Sequence, residues 1–175
     1  MNYEQIEKAN ASIVTTDIKG KDYAEVNQRI KAFRMVEPDG GIITEILSLD
    51  GGMCVIKATI LDGTGKVLGI GHAYEKEGST FINKTSYIEN CETSAVGRAL
   101  GMCGFGIDTS VASYEEVANA IEQQLNGSLI AEAKRLNIDL NKVATYYKKS
   151  VENLTNDDLR KCIEQKKAVL SGGNE

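Results

Sequence analysis

A chain of 175 residues, 42% hydrophobic and 26% charged, is long enough for one domain with a sizeable core and a small appendage. Its net charge of −5 is uneven: residues 1–125 hold 11 Lys/Arg against 18 Asp/Glu, while residues 126–175 hold 9 against 7. Such an acidic body repels phosphates at long range, which excludes indiscriminate nucleic-acid binding and leaves room only for a local groove that gathers a few cations.

In YAEVNQRIKAFRMVEP, residues 23–38, Val26, Ile30, Phe33 and Met35–Val36 recur at helical spacing, and Pro38 with Asp39-Gly40-Gly41 ends the helix. Arg29, Lys31 and Arg34 are expected on its polar surface. Three strands follow, GIITEILSL (41–49), MCVIKATIL (53–61) and KVLGIGHAY (66–74), joined by Asp50-Gly51-Gly52 and Asp62-Gly63-Thr64-Gly65. β-Branched runs bounded by Asp/Gly turns read as an antiparallel meander. Alternation puts Cys54, Ile56, Ala58 and Ile60 on one face and Lys57 and Thr59 on the other. In the third strand Val67, Gly69, Gly71 and Ala73 share a face, and two glycines there invite a close backbone approach.

After the polar EKEGSTFINKT, Ser86 with Glu89 fits a capping box and opens a helix. Cys91, Ala95, Val96, Ala99, Met102 and Cys103 form its apolar arc; Asn90, Thr93, Ser94, Gly97, Arg98 and Gly101 form its other side. Glu92 falls inside the apolar arc, where a carboxylate needs a donor. Gly104 stops the helix. SYEEVANAIEQQL (113–125), capped by Ser113 with Glu116, is the next helix, and Asn126-Gly127 marks a boundary. Beyond it LIAEAKRL, LNKVATYYKK and NDDLRKCIEQKKAVL, the last opened by Thr155 with Asp158, form a small helical module before a frayed SGGNE. The fold expected is α+β, a helix followed by a three-stranded antiparallel meander and a packed helix (a β-β-β-α core). The division is residues 1–126 for the core and 127–175 for the C-terminal helical module.

The residues offer little for catalysis. His72 is the sole histidine, mid-strand, and no Ser or Cys is marked as a nucleophile beside it. Cys54, Cys91, Cys103 and Cys162 form no CxxC pair, so buried free thiols are expected rather than a metal site, and no cofactor. The glycines of GMCGFGID close a helix instead of opening one, so they do not form a phosphate loop. No apolar run approaches the roughly 18 residues of a membrane span. The N-terminal MNYEQIEKANASIVTTDIKG lacks a signal peptide's basic start and apolar core, so a cytoplasmic location is expected.

The cations are more informative. Lys57 sits on the second strand, Lys66 begins the third, Lys76 ends it, Lys84 lies in the following connection and Arg98 is on the thin helix. Flanked by Gly97, Ala99 and Gly101, Arg98 suits recognition of a phosphate. Arg34 adds a further candidate contact, and Tyr74 and Tyr87 are candidates for base stacking.

GIGHAY, then EKEG, then a helix containing GRALGMCGFG, all after a three-stranded meander, resembles the single-strand DNA annealing proteins of phages and their eukaryotic recombination counterparts. The resemblance covers roughly residues 20–110, and G-R-A-L-x-x-x-G-F-G is its most specific piece. It implies a non-enzymatic protein that binds single-stranded DNA as an oligomeric ring or filament and promotes annealing of complementary strands. Arg98 then matches a basic residue on the DNA backbone, with Lys84, Lys57, Lys76, Lys66 and Arg34 as further DNA contacts. Many members carry a second basic residue where this chain has Gly97, and the acidic body is another departure. The tail resembles small helical modules that dock a partner such as a host single-strand binding protein, and the cytoplasm is that of a host if the protein is phage-encoded. The alternative is a non-enzymatic protein-interaction factor on the same core that binds no nucleic acid.

Overall fold

The computed structural model describes residues 1–112 and 114–171. The expected cap at Ser113 and the tail residues 172–175 lie outside the described residues. The chain divides into two compact units, Met1–Val117 and Ala118–Glu175. Among the described residues no helix is long and apolar enough to cross a membrane.

The first unit is α+β. It opens with α1 (Tyr3–Asn10) and a small hairpin of β1 (Thr15–Ile18) and β2 (Lys21–Ala24). Helix α2 (Val26–Val36) leads into β3 (Gly41–Asp50), β4 (Met53–Leu61) and β5 (Val67–Lys76), an antiparallel sheet in the order β3-β4-β5. Helix α3 (Tyr87–Met102) then packs across the sheet. Cys54, Ile56, Ala58 and Ile60 of β4 are buried beneath it, as the strand alternation requires. The other face leaves Ile43, Ile70 and Tyr74 exposed. An irregularity beside Ile60/Leu61 pairs Leu61 with Val67, so Leu68 packs on the core instead of facing away as strict alternation would have it.

Helix α3 is thin because it is crowded on two sides. A Cβ on Gly69 would lie 2.6 Å from Cys103 Sγ, and one on Gly71 would lie 2.5 Å from Ala95 O and press on Ala99 N. The glycine-bearing strand thus receives the helix backbone directly. Half of α3 is buried, Ser94, Gly97 and Gly101 included, while Met102, expected in the apolar arc, is exposed. Glu92 is exposed as well and accepts from Thr44 Oγ1 at 2.6 Å, so no carboxylate is buried there. Ser86 precedes the helix but makes no side-chain capping bond. At the other end Gly104, at φ 96°, lets Phe105 N–H return to Leu100 O at 3.1 Å. Phe105 is fully buried and meets Phe33 edge-on at 5.7 Å. Asn10 ties α1 to this turn, donating to Gly104 O at 2.8 Å and accepting from Gly106 N at 3.0 Å. Burial lifts the Cys103 thiol to about 11; burial and the adjacent Cys54 lift Cys91 to about 12, so both stay protonated and unreactive.

Helix α4 (Tyr114–Arg135) carries the chain from the first unit into the second, and Asn126-Gly127 lies within it. Asn126 Nδ2 donates to Leu154 O at 3.3 Å, so the dipeptide read as a break packs as helix. In the second unit α5 (Leu140–Tyr147) and α6 (Asn156–Ser171) close a core of Leu129, Ala133, Ala144, Leu154, Leu159 and Ile163. Thr155 and Asp158 cap α6 reciprocally, with Thr155 N–H to Asp158 Oδ2 at 2.9 Å and Asp158 N–H to Thr155 Oγ1 at 3.2 Å. Lys149 Nζ donates to the same carboxylate at 2.5 Å.

Gly71→Ala is expected to destabilise the protein by about 1–3 kcal/mol, because the new methyl meets backbone that cannot yield. Gly127→Ala, with nothing within 4 Å of the added carbon, is expected to stabilise α4 by roughly 0.5–1 kcal/mol. Denaturant unfolding of the two variants checks the contrast. The hydrogen bond from Lys149, with those from Thr155, holds Asp158 down at about 2 against an ordinary 3.8. Its contribution is therefore complete above pH 4 and is lost as pH falls towards 2. Acid titration of unfolding should show that loss in the wild type and a smaller one in Asp158→Asn.

Candidate functional site

The polar strip of α3 forms one wall of a cleft of about 380 Å³. Asn90, Thr93, Ser94, Gly97 and Arg98 come from α3; Tyr23, Glu25, Val26, Asn27 and Arg29 come from β2 and the start of α2. Val111, Ala112 and Tyr114 complete it. Tyr23 and Tyr114 meet edge-on with ring centroids 5.9 Å apart, so an aromatic pair stands beside the polar strip.

The wall opposite α3 is held by Arg29, which is 1% exposed. Its Nε donates to Ala24 O at 3.1 Å, Nη1 to Gly97 O at 3.4 Å and Nη2 to Ser110 O. The guanidinium also lies 5.9 Å from the centre of the Tyr23 ring. Burial pulls Arg29 below its ordinary value, and Tyr23 opposes that shift. Two glycines make the approach possible. A Cβ on Gly101 would come within 2.9 Å of Arg29 Nη1, and one on Gly97 within 2.7 Å of Val26 Cγ2. The polar side of α3, expected to be open around Gly97 and Gly101, is thus packed by α2 at both glycines, and Arg29 is not on the surface of its helix. The signal was present: Arg29 follows Val26 by three residues and precedes Phe33 by four, inside the apolar stripe.

Arg98 stands in the cleft with its side chain 28% exposed and its Nη2 paired with Glu116. Its Nε is buried and has no hydrogen-bond partner among the described residues. A buried donor without an acceptor is costly in a finished fold, and an anionic ligand oxygen would satisfy it. Glu25, a carboxylate in the lining of the cleft, accepts from Thr16 Oγ1 at 2.9 Å.

The remaining candidates are dispersed. Lys57 lies on the sheet face away from α3, paired with Glu45 at 2.5 Å, so it shares no groove with Arg98. Lys66 is exposed in the turn before β5 and donates its backbone N–H to Asp62 at 3.0 Å. Arg34 caps the C-terminal end of α2, donating to Pro38 O at 3.3 Å and to Gly40 O, and covers the Phe33 ring at 5.2 Å. Lys76 and Lys84 are exposed on either side of the turn between β5 and α3. Tyr74 is 70% exposed on the open sheet face, whereas Tyr87 packs against the core. Sequence reasoning missed Tyr23, Asn27, Arg29 and Tyr114, because they come together only when β2 and the start of α4 meet α3.

Arg29→Met should destabilise the first unit by on the order of 3 kcal/mol, since buried carbonyls lose their donor. Arg29→Lys should recover little, because an ammonium cannot reach three divergent acceptors as a planar fork does. Thermal unfolding of both variants measures the effect.

A family model described as Slr1353 N-terminal dsRNA-binding domain-like matches residues 30–103. The matched segment runs from within α2 through the end of α3; it takes in the whole three-stranded sheet but less than half of the chain. No curated protein and no solved structure matches the chain. Over this segment the chain is similar to a nucleic-acid-binding type of domain.

Proposed function

We propose that the first unit binds single-stranded DNA and that the protein, as an oligomeric ring or filament, promotes annealing of complementary strands. The observation that carries this reading is the cleft along α3. In an acidic unit it brings together the buried unpartnered donor of Arg98, the guanidinium of Arg29 and the Tyr23/Tyr114 pair. Phosphate at Arg98 and unstacked bases near tyrosine rings are what a single strand offers. The process needs no catalytic residue. Subunits hold one strand extended, a second strand tests it, and pairing supplies about 1.4 kcal/mol per step. Glu116, paired with Arg98, competes with phosphate for it. The second unit, whose sequence is net basic from residue 126 onward, docks a protein partner such as a host single-strand binding protein in the cytoplasm.

A second reading, binding of double-stranded RNA, is favoured by the family match to residues 30–103. Duplex RNA is recognised mainly through shape, 2′-hydroxyls and phosphates, with the bases stacked away from side chains.

Fluorescence anisotropy with an unstructured DNA oligonucleotide and with duplex RNA of equal length, at two salt concentrations, separates the readings. Single-strand binding is expected, weakening with salt at a log–log slope of about −0.7 per neutralised phosphate. An annealing assay on the same samples should show faster pairing. Arg98→Ala should weaken binding and flatten the slope by about 0.7, while Glu116→Gln should tighten it. Preference for duplex RNA would select the second reading. Failure to bind either at low salt would leave the protein-interaction factor.

A further inference from the structure

The turn between β5 and α3 combines exposure with order. Phe81 is 86% exposed and Ile82 50%, yet Asn83 beside them is fully buried. Asn83 Nδ2 donates to Glu75 Oε2 at 2.6 Å and to Ser79 Oγ at 2.8 Å, and its Oδ1 accepts from Asn90 Nδ2 at 3.0 Å. Gly78 N–H closes the turn on Asn83 O at 2.8 Å, and Ser79 Oγ donates to Lys76 O at 2.6 Å. The backbone beneath Phe81 is therefore tied at both ends. A phenylalanine ring held in water by a pinned turn forgoes the burial that normally makes it stabilising. Lys84 Nζ lies 5.8 Å from the centre of that ring, and Lys76 is exposed where the turn begins. Asn90, which anchors the turn to α3, also lines the cleft and precedes Arg98 by roughly 12 Å along the helix at 1.5 Å per residue.

We propose that Phe81 is a stacking platform for one unpaired base of a single strand whose backbone continues along α3 to Arg98, with Lys84 on a neighbouring phosphate. This rests on the reading of the first unit as a single-strand binder and adds to it a residue that selects unpaired bases over a duplex. Every base has a π-face, so the contact is independent of sequence, as annealing of arbitrary strands demands. A base paired and stacked within a duplex has no free face to give.

The chain contains no tryptophan, so Phe81→Trp introduces a single reporter at the site. Titration with oligo(dT) should quench its emission, and duplex DNA of the same length should not. Phe81→Ala should weaken oligo(dT) binding by about 5- to 150-fold, the range measured for loss of one base–aromatic stack, with an unchanged melting temperature because the ring is solvent-exposed. If wild-type protein binds oligo(dT) while Phe81→Ala binds equally and the tryptophan is silent, Phe81 is not a stacking residue and the single-strand reading survives. If wild-type protein binds no single strand, both fall. If Phe81→Ala changes the mass of the assembly in solution at unaltered affinity, the ring belongs to a contact between copies and the assignment is overturned.

Discussion

One buried guanidinium organises the cleft side of the first unit. Arg29 takes its acceptors from the end of β2, the middle of α3 and the segment after α3, places far apart in sequence. Its charge is removed from water, which costs several kcal/mol even after relaxation, and hydrogen bonds to main-chain carbonyls offset that cost. Arg29 thereby links three main-chain carbonyls that no local element would bring together. The cleft follows from this contact, because the same residue fixes the distance between the hairpin, α2 and α3.

The small residues of α3 serve that arrangement on both sides. Gly69 and Gly71 admit the helix backbone onto β5, while Gly97 and Gly101 admit Val26 and Arg29 from above. The cleft keeps the strip from Asn90 to Arg98 on α3, and Asn90 also holds the turn that carries Phe81 and Lys84. A strip of this kind suits an acidic protein. On the proposed reading, attraction for phosphate there would act at contact range, where charge-assisted hydrogen bonds are strong, while the repulsive long-range field would discourage non-specific association. The outer face of the sheet, with Lys57 neutralised by Glu45, contributes nothing to that strip.

The meander was legible because its signals are local: β-branched alternation in Cys54–Ile60 and Asp/Gly turns at both ends of β4. The reciprocal cap of Thr155 and Asp158 was legible for the same reason, whereas Ser86 shows that a matching pattern does not guarantee the bond. The β1–β2 hairpin escaped because its strands have four residues each and are half exposed, too short to display a period. Asn126-Gly127 looked like a break, yet tertiary packing overrode a weak local preference and α4 runs through it. Arg98, which lines the cleft, stood out from its small neighbours in sequence. Arg29, Tyr23 and Tyr114 could not be assigned to a site, because their roles arise from long-range contacts among segments that share no motif.

The central claim is that a single strand lies along α3 and the turn before it, and not on the open face of the sheet. Hydrogen–deuterium exchange with and without a saturating single-stranded DNA oligonucleotide tests it directly. New protection is expected in peptides covering residues 23–29, 78–98 and 110–114, with β3 and β4 unchanged. Protection confined to the strands that bear Ile43, Lys57 and Ile70, with none along α3, would contradict it.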